Sequence, residues 1–123
     1  MAAYSDIIVE HFENPRNLGD ITGPDFIVEL SDRAFGDSVS LTVRCAGLRI
    51  VAVKFQAYGC APVFALGSVL SEFLRGADQA RLDAVEESTI AAMLGGIGPD
   101  QQHVTTLGLR LIHAVRAELT RAS

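Results

Sequence analysis

An α+β fold is predicted by two features of the sequence. Three strand-like segments fall together between residues 26 and 58, and apolar residues at helical spacing dominate the remainder of the chain. The strands come first in that order, so the sheet is a meander with one buried face, and the later helices supply its cover.

Ser5 is placed to cap a short first helix in which Ile8 and Phe12 fall four apart, ending before Pro15. Glu13-Asn14-Pro15-Arg16-Asn17-Leu18-Gly19 then turns the chain. Strands are expected from Phe26 to Ser31, Ser38 to Cys45 and Arg49 to Tyr58, the last two joined through Ala46-Gly47-Leu48 as a hairpin. Val39, Leu41, Val43 and Cys45 alternate with polar residues, and Val51, Val53, Phe55 and Ala57 share a face of the next strand. A helix from Pro62 to Arg75, stopped at Gly76, buries Val63, Leu66, Val69, Leu70, Phe73 and Leu74. Two short helices come next, Leu82 to Val85 and Thr89 to Leu94, the second capped by Ser88 and ended by Gly95-Gly96. Residues 97–102 read as a loop. The last helix runs from His103 to Arg121 with Leu107, Leu111, Val115 and Leu119 in one stripe and Val104 a turn ahead.

At 123 residues the chain is read as one domain, residues 1–123, large enough to bury a core without staples. The net charge of -5, with no cluster of Lys and Arg, argues against nucleic acid and anionic membrane as partners. The N-terminus lacks a basic segment ahead of its apolar residues, and no apolar run approaches a bilayer span, so a cytoplasmic location is expected.

Chemistry concentrates on two thiols and a histidine. Cys45 shares the apolar face of its strand and is read as a small hydrophobe. Cys60 follows Tyr58-Gly59 and precedes Pro62, at a strand-to-helix corner. There the unpaired N–H groups and dipole of a helix start favour thiolate, the form that binds metal or attacks sulfur. The competing reading is a half-buried thiol that fills the corner. His103 opens the last helix and offers a ring nitrogen for a metal, whereas His11 and His113 read as surface or packing residues. A thiol enzyme would rest on the pair Cys60 and His103 alone, with neither an oxyanion site nor a substrate pocket to argue from, and no enzymatic role is assigned.

Tyr4-Ser5, Glu13-Asn14-Pro15-Arg16-Asn17, Gly36-Asp37, Tyr58-Gly59-Cys60 and His103, in this order and spacing, resemble the IscU/NifU-type scaffold proteins on which iron-sulfur clusters are assembled. The resemblance spans essentially the whole chain and lacks the insertion of the zinc-dependent SufU kind between Cys60 and His103. It implies a compact α+β fold with a three-stranded antiparallel sheet, helices packed on one face and a site at one exposed end. It also implies a scaffold rather than an enzyme, a [2Fe-2S] cluster as cargo, and a cysteine desulfurase as partner.

Relatives carry three cysteines. The first precedes Gly-Asp, where this chain has Phe35; the second is Cys60; the third follows the histidine, where this chain has Val104. With one thiolate a [2Fe-2S] cluster would be poorly served. Asp37, Cys60 and His103 suit a single zinc or iron ion better, although Asp37 could equally cap a turn. With a valine at 104, any sulfur acceptance falls to Cys60. The Leu-Pro-Pro-Val-Lys element read by a dedicated Hsp70-type chaperone is replaced by Ile97-Gly98-Pro99-Asp100-Gln101, so that chaperone is not expected as a partner. Two roles are left: a scaffold-like protein holding iron, zinc or a labile cluster through Asp37, Cys60 and His103, or a metal-free interaction protein that docks on a desulfurase or another assembly component and modulates it.

Overall fold

The computed structural model describes residues 4–122. Ser5 caps α1 (Asp6–Glu13), its hydroxyl oxygen accepting from the Ile8 N–H at 3.1 Å. The sheet is built from β1 (Phe26–Asp32), β2 (Asp37–Ala46) and β3 (Arg49–Tyr58), antiparallel throughout and in the order β1-β2-β3. Then come α2 (Ala61–Leu74), α3 (Gln79–Asp83), α4 (Glu87–Met93), a 3-10 turn at Pro99–Gln101, and α5 (Gln102–Ala122). Among the described residues no helix is long and apolar enough to cross a membrane.

Alternation along the strands sends Val28, Val39, Leu41, Val43, Val53 and Phe55 to one face, where α2 lies across β2 and β3 and α5 lies against β1. Leu66, Leu70, Leu107, Leu111, Val115 and Leu119 are the buried helix stripes that meet them. Contact between α2 and the sheet is close enough that a methyl at Gly67 would lie 2.3 Å from the Phe55 ring, so only glycine allows this separation.

The expected face of β3 is corrected at one residue. Val51 pairs with no residue of β2, because the register shifts between Arg44 and Cys45, and this bulge puts Ile50 in the core while Val51 is exposed. The caps of the short helices also differ from expectation. Asp78, accepting from the Arg81 N–H, starts α3 earlier than Leu82, and Glu86 with Thr89 forms a capping box for α4, leaving Ser88 inside the helix.

The Glu13-to-Gly19 turn serves as a fourth, rudimentary strand. Phe55 donates its N–H to the Asn17 carbonyl at 2.9 Å and accepts from the Gly19 N–H at 2.8 Å, so this segment covers the outer edge of β3 in parallel. Its polar side is held from α2: Ser68 Oγ accepts from the Arg16 N–H at 2.9 Å, and Ser71 Oγ accepts from Asn17 Nδ2 at 3.1 Å.

Candidate metal centre

Three loops converge at the end of the sheet where β1 turns into β2 and β3 leaves for α2. Asp37 is the first residue of β2, delivered by the turn Arg33-Ala34-Phe35-Gly36, and is paired with Asp32. Cys60 is the N-cap of α2, its carbonyl accepting from the Val63 and Phe64 N–H groups at 3.0 and 3.1 Å. His103 lies in the first turn of α5.

The backbone at Gly59-Cys60 buries Asp37. A Cβ at Gly59 would stand 2.2 Å from Asp37 Oδ1, and Gly59 has φ +133, so this corner admits glycine alone. The Cys60 N–H donates to the Asp37 carboxylate. Asp37 is 3% exposed, yet among the described residues its Oδ2 has no hydrogen-bond partner. His103 Nε2 lies 3.4 Å from that oxygen.

One ligand atom from each of Asp37, Cys60 and His103 falls within 4.8 Å of the other two. A hard oxygen, an imidazole nitrogen and a soft sulfur thus face one point, a donor set that suits zinc or iron(II). Bond lengths of about 2.0 Å to nitrogen and about 2.1 Å to oxygen give a tetrahedral nitrogen-oxygen edge of about 3.4 Å. The His103–Asp37 separation matches that edge. A buried polar atom without a partner costs free energy that a cation would recover.

Burial decides the protonation of the free site. Desolvation pushes the Cys60 thiol above its ordinary range; the nearby Asp37 charge adds to this, and the helix-start N–H of Val63 and the residue's own N–H oppose it. The helix-start N–H groups pull the thiol towards thiolate as expected, but loss of water outweighs them. Desolvation also raises Asp37, while His103 and the Cys60 N–H pull it down. In the turn before β2 the Ala34 N–H donates to Asp32 at 3.2 Å, while Asp37 accepts from the Cys60 N–H at the neighbouring corner.

Positions 35 and 104, where the resemblance leads one to expect cysteine, differ in their surroundings. Phe35 is 55% exposed and lies flat on His103, with ring centroids 3.7 Å apart and planes 6° apart. Val104 is fully buried in the apolar core. Cys45 is half-buried against that core and, like Cys60, free; its backbone N–H donates to Asp25 at 2.7 Å. His113 is exposed, and His11 joins α1 to α2 through Ser68. Sequence reasoning missed Gln101, whose carboxamide Oε1 faces Cys60 Sγ at 3.9 Å. Its place two residues before His103 was the available signal.

Residues 3–121 match the NifU-like N terminal domain. The chain is 38% identical over 112 residues to the bifunctional protein NifU/MnmA of Rubrobacter xylanophilus, covering 89% of this chain and only 23% of that protein. It is 31% identical over 104 residues to the iron-sulfur cluster assembly scaffold protein IscU 1 of Archaeoglobus fulgidus, covering 85% and 68% of the two chains. Among solved structures, a protein described as an iron-sulfur cluster assembly scaffold for the SUF system of Fervidobacterium islandicum superposes with a TM-score of 0.75 at 22% identity, over 90% of this chain and 94% of that one, which bears on the fold. The chain belongs to the NifU-like N-terminal domain family.

Proposed function

We propose that this protein is an iron-sulfur cluster assembly scaffold-like protein whose site takes a single iron(II) or zinc ion through Asp37, Cys60 and His103. The buried Asp37 Oδ2, without a hydrogen bond among the described residues and 3.4 Å from His103 Nε2, carries this reading. The ion is cargo. A [2Fe-2S] cluster, which draws on thiolates for most of its ligation, would find one here. Cys60 is the thiol available to receive sulfur, and the natural donor of that sulfur is a cysteine desulfurase.

Phe35 supports a second reading. Its ring covers the His103 face while staying half in water, an arrangement that also suits a metal-free protein docking on a desulfurase and modulating it.

Metal content and visible absorbance of protein purified without oxygen separate the two. After supplementation with iron, sulfide and zinc, the wild type is expected to hold stoichiometric metal that Cys60→Ser loses. A metal-free wild type would overturn the ion-binding reading, and desulfurase pull-down would then test the docking role.

A further inference from the structure

Gln101 ends the 3-10 turn that leads into α5, and its carboxamide is turned inward to Cys60 rather than out to solvent. Zinc in mixed sulfur, nitrogen and oxygen surroundings takes four donors, whereas Asp37, Cys60 and His103 supply three. With about 2.3 Å to sulfur and about 2.1 Å to oxygen, the sulfur-oxygen edge of a tetrahedral site is about 3.6 Å. Cys60 Sγ and Gln101 Oε1 lie 3.9 Å apart, within a small side-chain adjustment of that edge.

We propose that Gln101 Oε1 is the fourth donor and closes the site around one ion, so that no water-bearing coordination position is left. This rests on the ion-binding reading above. Charge supports it: thiolate and carboxylate neutralise a divalent ion, and a neutral carboxamide completes the shell without adding charge to a site that is largely out of water. Phe35 stacked on His103 shuts the adjoining side. Carboxamide oxygen is the weakest donor of the four and the one that an incoming thiolate would displace, which makes Gln101 the release point for the cargo.

Co²⁺ alone, titrated into the full chain without oxygen, tests this. The wild type is expected to develop a sulfur-to-cobalt charge-transfer band that Cys60→Ser abolishes, and its visible bands should not move when azide is added. Gln101→Ala should bind about tenfold more weakly, the scale on which metal sites respond to loss of a supporting group, and its bands should shift with azide as a water position opens. Gln101→Glu, which keeps an oxygen in place, should remain insensitive to azide. Equal affinity and equal azide response in the wild type and Gln101→Ala would overturn the assignment of Gln101 while leaving the three-residue site intact. Absence of a Cys60-dependent band in the wild type would overturn the ion-binding reading itself. Melting of the metal-free variants, expected to equal the wild type because this residue precedes the helix it would otherwise support, guards against a folding defect.

Discussion

Two histidines in this chain sit in polar clusters beneath the surface, and the clusters differ in how completely they are satisfied. Around His11, every polar group has somewhere to go. Ser68 Oγ accepts from the Arg16 N–H and meets His11 Nδ1 at 2.7 Å, Ser71 Oγ lies 2.7 Å from the Ser68 carbonyl, and His11 Nε2 faces Glu72 at 3.6 Å. Ser68 Oγ, with one hydrogen and two lone pairs, can serve both the Arg16 N–H and His11 Nδ1 at once. Around His103, a fully buried carboxylate oxygen is left over and a thiol is turned to a carboxamide. The first cluster is a fastener between α1, the Glu13-to-Gly19 turn and α2. The second leaves one carboxylate oxygen without a hydrogen bond, the feature on which the proposed ion-binding role rests.

Three substitutions put this contrast to the test. The largest effect is expected at Ser68→Ala, which strands the Arg16 N–H and the His11 ring together: a loss of about 2 kcal/mol in denaturant unfolding, the usual cost of orphaned buried groups. A loss under about 0.5 kcal/mol would show that this cluster is not the fastener. At the other site the sign should reverse. Asp37→Asn removes a buried charge with one oxygen outside any hydrogen bond, keeps an acceptor for the Cys60 N–H, and is expected to stabilise the metal-free protein by about 1 kcal/mol while abolishing ion binding. If calorimetry finds the metal-free Asn variant less stable than the wild type, the carboxylate oxygen is not the liability that its burial implies.

The smallest effect concerns pH. Burial, then the Arg16 charge, hold His11 below its ordinary value of 6.5, with Glu72 and Glu10 pulling the other way. The unfolded chain therefore takes up a proton at His11 before the folded chain does, so this residue's share of stability is intact above 6.5 and is lost as pH falls through it. The melting temperature should decline between about pH 7.5 and about pH 5.5, and His11→Gln should flatten that slope. An unchanged slope in the variant would place the titrating group elsewhere.

The β-meander and the main helices were legible because they depend on local periodicity: the bounds of β3 emerge as read, and those of β1 and β2 to within a residue. The Val51 bulge was not, since it arises from pairing across the hairpin, and neither were Asp78 and Glu86, whose capping role depends on where the preceding chain can start a turn. The docking of Arg16 and Asn17 on Ser68 and Ser71 spans more than 50 residues of chain and leaves no local trace. At the site, the resemblance supplied Asp37, Cys60 and His103, and the fold brings their ligand atoms together. What the sequence could not supply was the extent of burial, and burial outweighs the helix-start N–H groups at Cys60. For the same reason Gln101, in a segment read as a plain loop, gained meaning only when the start of α2 was placed beside it.

Gly59 gives the site a history of its own. The contact between this backbone and the Asp37 carboxylate fixes where that side chain sits without any side chain at position 59. Phe35 on a surface turn and Val104 within the core take no part in that contact, so substitution at either would leave the mould in place. Changes of cargo are then open to descent by point substitution, whereas a side chain at position 59 would destroy the mould in one step.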